Sequence, residues 1–149
     1  MSNQDTIDKF RGKYFFLSNF FEAEITYKGL TYKNNEAAFQ AQKCLSDEEK
    51  LFFTECDPMR SKRHGRHVRL RGDWEDVKTG IMEEIVRAKF AQHPDLAQKL
   101  IETGDRTLIE GNTWGDSVWG FDIIKKRGQN RLGKILMKIR AELVSSSKK

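Results

Sequence analysis

Long apolar runs are missing from this chain. No stretch approaches the ~20 apolar residues of a membrane-spanning helix. Met1 to Lys9 lacks the apolar region of a secretory signal. Cysteine is scarce as well: Cys44 and Cys56 show neither CxxC spacing nor a partner motif. That excludes a disulfide framework and predicts free, buried thiols in a reducing compartment, with the cytoplasm as the default. No HExxH, Walker loop or GxGxxG occurs, and His64, His67 and His93 have no metal-ligand spacing. Neither a metal nor a bound redox cofactor is therefore expected. Internal repeats and Pro/Ser linkers are also lacking.

What is present suits one charged, globular unit. Apolar residues make up 38% of the chain and charged residues 33%, the first below and the second above the usual share. Because 10 Phe and 3 Trp supply the bulk of a core short of Val and Ile, we read a soluble domain rather than a disordered chain. A length of 149 residues fits a single domain with room for a real core.

The formal charge of +5 favours anionic partners. Much of the excess sits in the run from Arg60 to Arg71, which holds Lys62, Arg63, Arg66 and Arg69. Such a run is either a solvated face or a wall for phosphate, which arginine recognises in a planar, bidentate manner. No aromatic interleaves it, so it is not a platform for stacking a single strand. Discrete phosphates, met by Arg66 or Arg71, are the better fit.

The periodicities predict a mainly α, α+β fold with one small antiparallel β element near the N-terminus. Ile25 and Tyr27 alternate with Thr26, and Lys28-Gly29 turns the chain into Leu30-Thr31-Tyr32. Asn34-Asn35 offers an N-cap for a first helix. Ser46 with Glu49 forms a capping box for a second. The surest helix spans about Asp73 to Ala91, with Trp74, Val77, Ile81, Ile85 and Ala88 as its core stripe. Pro94 opens another carrying Leu96, Leu100 and Ile101, which Gly104 ends. The last follows Asn130 and buries Leu132, Ile135, Leu136, Ile139 and Leu143. Residues 1–144 are read as one domain and 145–149 as a loose polar tail.

Two stretches carry chemistry. In a helix, Glu36, Gln40 and Lys43 fall within about 60° of one another, with Ala37, Ala38, Ala41, Cys44 and Leu45 opposite. The stripe joins an acid, an amide and an amine; a plain solvated stripe is the competing reading. Glu36 and Lys43 are about 10 Å apart along the axis, suited to flanking a sugar. The second stretch, Trp114-Gly115-Asp116-Ser117-Val118-Trp119-Gly120, puts one carboxylate between two indoles. Trp114 and Trp119 are either core residues or a wall that stacks a planar base. Asp116 between them has the surroundings of a general acid. Glycines punctuate this long connection, and such connections inside compact domains are more often functional than idle. Trp74, at the head of a core stripe, is mainly structural, with a place at a pocket edge.

Both stretches resemble the NADAR family of YbiA-like N-glycosidases. The resemblance runs through Phe15-Phe16-Leu17-Ser18-Asn19-Phe20, Tyr32-Lys33-Asn34-Asn35-Glu36 to Lys43, Gly65-Arg66, Arg71-Gly72-Asp73-Trp74-Glu75 and Lys89-Phe90. Leu108-Ile109-Glu110-Gly111-Asn112, the tryptophan pair and Gly128-Gln129-Asn130-Arg131-Leu132-Gly133 complete it. No single piece is specific; their order and spacing are.

The resemblance implies a multihelical YbiA-like domain and an enzyme that hydrolyses the C1–N bond of ribosyl phosphates. It offers two substrates: phosphoribosylamino-pyrimidine intermediates of riboflavin biosynthesis, and ADP-ribose linked to guanine in nucleic acid. ADP-ribosylated DNA is thus a further partner it allows; no membrane or obligate protein partner is expected. The matching Glu and Lys lie in the family's active site, which makes Glu36 and Lys43 catalytic candidates beside Asp116. Ser18 and Asn19, otherwise turn formers, become ribose and phosphate donors, and Gln40 a substrate contact. Asn130 is most simply a helix N-cap, a position that can also receive an anion. Two mechanisms stay open: attack by Lys43 on the anomeric carbon through a Schiff base, or direct attack by water. A non-catalytic module binding ADP-ribose or nucleic acid is the alternative function.

Overall fold

A computed structural model describes residues 5–147. Two compact units emerge: residues 19–93, and residues from Pro94 onward together with the segment up to Ser18.

In the 19–93 unit, strands β2 (Ile25–Tyr27) and β3 (Leu30–Tyr32) form the expected antiparallel hairpin, Ile25 opposite Tyr32 and Tyr27 opposite Leu30. Lys28 and Gly29 both have positive φ, 49° and 87°, as a two-residue turn matched to the strand twist requires. Ile25, Tyr27 and Tyr32 point into the core, while Thr26 and Thr31 pair outside through their hydroxyls at 2.8 Å. Helix α1 (Asn35–Ala41) follows, capped by Asn34, whose Oδ1 accepts from the Ala37 N–H at 2.8 Å. Helix α2 (Asp47–Leu51) is capped by Ser46 as its box predicts, with the Glu49 N–H 3.2 Å from Oγ.

The basic run, left without a secondary structure by its composition, forms helix α3 (Pro58–Gly65). Asp57 caps it and Pro58 fills its first turn. Ser61 and Gly65 form its buried face, against α1, while Arg60, Arg63 and Arg66 remain exposed. Helix α4 (Trp74–Gln92) has the expected extent, but its buried face is rotated. Trp74 and Ile85 are in the core as predicted; Val77, Ile81 and Ala88 are only half-buried. Met82, Val86, Lys89 and Phe90 take their places. Lys89 is 1% exposed, between the rings of Phe21 and Phe90 at 5.5 and 5.4 Å.

The other unit is built on helices α5 (Pro94–Glu102) and α6 (Arg131–Ser147), which bury Leu96, Leu100, Leu132, Ile135, Leu136 and Ile139. Strand β1 (Thr6–Ile7) pairs in parallel with β4 (Thr107–Leu108), and β5 (Gly111–Asn112) with β6 (Phe121–Asp122). These parallel pairs accompany the predicted antiparallel element. Helix α6 continues through Ser145 to Ser147 where a loose tail was expected; Lys148 and Lys149 lie outside the described residues. The architecture is mainly α, α+β. Among the described residues no helix is long and apolar enough to cross a membrane. Cys44 and Cys56 are both buried and free.

Candidate active site

Helix α1 is short and buried on every side, and that changes the expected stripe. It ends at Ala41, so Gln42 and Lys43 lie in a tighter turn whose N–H groups reach back to Phe39 O and Gln40 O at 3.1 and 3.2 Å. The opposite face therefore stops early: Leu45, assigned to the packed side, is 69% exposed. Glu36 and Gln40 are not a solvated stripe, being 9% and 6% exposed. Gln40 Nε2 donates to Glu36 Oε2 at 2.6 Å, one turn apart. A buried carboxylate with a charge-assisted donor is held in one orientation.

Asn19 sets the start of this helix. Its carbonyl accepts from the Glu36 N–H at 3.1 Å, and its Oδ1 accepts from Asn35 Nδ2 at 3.2 Å. Its Nδ2 faces the Met82 sulfur at 3.4 Å. With its amide so engaged and buried, Asn19 helps to position Glu36.

Lys43 is half-buried, with Nζ donating to the Gly65 carbonyl at 3.2 Å and lying 6.0 Å from the centre of the Trp74 ring. Burial pushes its amine below the ordinary lysine range. Glu36 opposes that shift, and the cations of Arg66 and Lys78 add to it. Trp74 itself is buried against Phe39, ring centres 5.0 Å apart, the structural role expected of it.

The two arginines differ. Arg71 grips Asp73 with both arms of its fork, Nε to Oδ1 at 2.6 Å and Nη2 to Oδ2 at 3.0 Å. Its N–H donates to Lys43 O at 3.0 Å, and Nη1 reaches Gln42 O at 3.4 Å. Arg71 thus staples the Lys43 turn to the start of α4, and Asp73 serves this clamp instead of capping α4. Arg66, exposed at the end of α3, makes no ion pair among the described residues and bears on the Lys43 ammonium. Of the pair, Arg66 is the one whose side chain is not committed to an ion pair among the described residues. Arg66→Ala should raise KM about tenfold or more, with a flatter salt dependence than the parent, since a lost phosphate contact is electrostatic. Steady-state kinetics from low to high salt checks this; an unchanged KM assigns Arg66 to the solvated face.

Ser18, Asp116, Trp114, Trp119 and Asn130 belong to the other unit. Ser18 caps the 3-10 helix Gly12–Leu17, its N–H on Phe15 O at 2.9 Å, the turn-forming role. Asp116 Oδ1 accepts from the N–H groups of Val118 and Trp119 at 3.0 and 2.9 Å. Asn112 clasps its backbone on both sides, at 2.8 and 2.9 Å. One carboxylate oxygen therefore shapes the loop. Trp114 is 55% exposed and Trp119 half-buried, which removes the core reading for Trp114.

Asn130 does not cap α6 with its side chain. Its Oδ1 accepts from Glu110 N–H at 3.0 Å and its Nδ2 donates to Leu108 O at 2.9 Å. The first N–H groups of α6, on Arg131 and Leu132, are taken by Val118 O and Trp119 O at 3.1 and 2.9 Å. Two of the donors expected for an anion at this helix start are thereby taken. Asn130 and α6 instead hold the tryptophan loop in place.

Sequence reasoning groups Glu36, Gln40 and Lys43, and the structure adds Arg66 to their neighbourhood; the parts that hold them were not read from the sequence. The Gly65 carbonyl and Asn35 carry no chemical signature of their own. Lys89 is hidden by its charge, which reads as surface.

Comparison with known proteins extends this geometry. The chain is 38% identical over 146 residues to N-glycosidase YbiA of Shigella flexneri serotype 5b, covering 94% of this chain and 90% of that protein. It is 39% identical over 132 residues to a riboflavin biosynthesis protein of Vibrio vulnificus, covering 86% of this chain but 35% of that one. The NMR structure of the Escherichia coli protein YbiA superposes with a TM-score of 0.86 at 36% identity, covering 98% of this chain and 89% of that chain. A model of the NADAR domain matches residues 7–144. On both sequence and fold, the chain belongs to the NADAR domain family.

Proposed function

We propose that this chain hydrolyses the C1–N bond of a ribosyl phosphate, with Lys43 as nucleophile and Glu36 as proton carrier. Relatives that match nearly end to end are named N-glycosidases, and the chain is a hydrolase acting on N-glycosyl compounds. The observation that carries the finer reading is the Lys43 amine. It is half-buried, shifted toward its neutral form, and sits in the field of the buried Glu36 carboxylate and the Arg66 cation.

A neutral amine can attack the anomeric carbon. The new C1–Nζ bond forms as the C1–N bond to the base breaks, and the departing base takes a proton from a carboxylic acid. The amine gives up a proton to a carboxylate, for which Glu36 is the candidate beside it. Ring opening then expels the ribose ring oxygen, protonated, and leaves an imine between C1 and Nζ. Water adds to C1, the amine departs, and free ribose phosphate and base are the products. Arg66 is proposed to bind the phosphate.

Two ribosyl substrates fit: a phosphoribosylamino-pyrimidine of riboflavin biosynthesis, and ADP-ribose on guanine. The Vibrio relative's name supports the first; the basic face of α3 supports a polyanion such as the second. Two free buried cysteines suit a reducing compartment, the cytoplasm. The test is parallel incubation with both compounds, reading released base by mass spectrometry. Release from one of them at catalytic rates is the expected result. Binding of both without release would instead assign the chain to recognition of ADP-ribose or nucleic acid.

A further inference from the structure

Gly65 stands where two parts of the proposed chemistry meet. It is the last residue of α3, buried, and on the face turned to α1. Its carbonyl accepts from Lys43 Nζ at 3.2 Å. On its other side lies the Gln40 side chain. A Cβ added to Gly65 would overlap Gln40 Oε1 and stand 2.7 Å from Cδ. The backbone of Gly65 is not left-handed, so no local strain demands glycine here. What demands it is the room that Gln40 needs.

That room has a use. Gln40 Oε1 is buried without a hydrogen-bond partner, while Nε2 is committed to Glu36 at 2.6 Å. An amide that leaves its acceptor orphaned in order to aim its donor at a carboxylate is held there by packing. The surface of Gly65 is part of that packing. The clash with an added methyl falls on the far end of a flexible side chain, so the side chain yields and the helices stay. Swung aside, Gln40 takes its donor off Glu36.

We propose that Gly65 is a positioning residue for both catalytic candidates, holding Lys43 through its carbonyl and Glu36 through the space it leaves for Gln40. This inference rests on the reading of Glu36 and Lys43 as the catalytic pair. It goes further in giving one backbone position control of the carboxylate.

The test compares the full chain with Gly65→Ala, Gln40→Ala and the double variant. In the substrate-free protein, the side-chain amide resonance of Gln40 should move away from its carboxylate-bonded position in Gly65→Ala, with the melting temperature near that of the parent. Turnover of the ribosyl substrate should show kcat down roughly 10- to 100-fold, the scale of a lost hydrogen bond to a charged group. KM should change little, because the phosphate end is untouched. The acid limb of the pH–rate profile should move to higher pH, since a carboxylate stripped of a donor takes up its proton more readily. The double variant should be no worse than Gln40→Ala alone, because Gly65→Ala acts through that amide.

An unmoved Gln40 resonance, a parental kcat in Gly65→Ala, or additive losses in the double variant would overturn the proposal. Should Gly65→Ala fail to fold, the double variant must fold, because the overlap with Oε1 and Cδ is gone and only a 3.3 Å contact with the Cβ of residue 40 remains; if it does not, the proposal also falls. Glu36→Gln and Lys43→Ala run alongside separate the two levels. Activity in either would refute the catalytic reading whatever Gly65 does, while the amide resonance reads the Gly65–Gln40 contact without any turnover.

Discussion

Lys43→Arg is expected to lose activity by on the order of 10³-fold or more, as much as Lys43→Ala, with the fold intact. A guanidinium keeps the positive charge but does not supply a neutral amine near pH 7, so binding survives and chemistry does not. If charge alone mattered, as it would for water attack on a substrate steadied by Lys43, the arginine variant would keep much of its rate. The environment favours the first outcome: burial lowers the affinity of Nζ for its proton by more than Glu36 restores it, and Arg66 and Lys78 lower it further. Cyanoborohydride added during turnover should reduce the imine and leave a stable sugar adduct on Lys43, located by peptide mass mapping. An active arginine variant with no trapped adduct would establish the water route. Stability should fall by about 1–2 kcal/mol in Lys43→Ala, because the Gly65 carbonyl loses its donor and Glu36 a nearby cation.

The second large effect lies at Lys89. Burial brings this amine down to about 7. Unfolded, the same lysine titrates near its ordinary value, about 10.4. Between these values the unfolded chain binds a proton that the folded chain does not. Raising the pH through this window therefore stabilises the fold, and lowering it destabilises. The expected slope approaches 1.4 kcal/mol per pH unit, on the order of 4 kcal/mol over the window. In Lys89→Met this contribution should vanish. Cys44 and Cys56 act in the opposite direction, since burial raises both thiols and the fold keeps their protons as pH rises. They are common to both proteins, so the difference between parent and Lys89→Met isolates the lysine. Urea unfolding from pH 6.5 to 10 measures it; parallel curves would show that Lys89 stays charged in the fold.

Local chemistry was legible wherever a few neighbouring residues decide the outcome. Asn34 and Ser46 cap the helices that their side chains can cap, and Lys28-Gly29 makes the turn that positive φ allows. Helical phase failed where tertiary packing intervened. Lys43 lies beyond the end of α1, and α4 turns Met82, Val86 and Lys89 inward although Val77 and Ile81 read as the better stripe. The basic run hid a helix because its charges obscure the small buried pair Ser61 and Gly65. At the site, the reactive groups were visible by type and the family resemblance, but their supports were not. Asn19, Arg71 and Asn130 have chemically suggestive side chains that the fold spends on backbone, amide and carboxylate partners. That distinction depends on contacts 16 to 29 residues apart in the chain.

The end of α4 has a bearing on how the molecule meets its own copies. A hairpin of two three-residue strands leaves an outer rim of peptide groups, the kind of template on which further strands assemble. Here the rim at Thr26 is already filled by an imitation of a strand. The Gln92 amide offers one acceptor and one donor in the pattern of a peptide unit, receiving the Thr26 N–H at 2.9 Å and giving to Thr26 O at 2.8 Å. His93 occupies the neighbouring Glu24 carbonyl. An incoming chain thus meets, along Ile25–Tyr27, peptide groups that side chains of the same molecule already occupy.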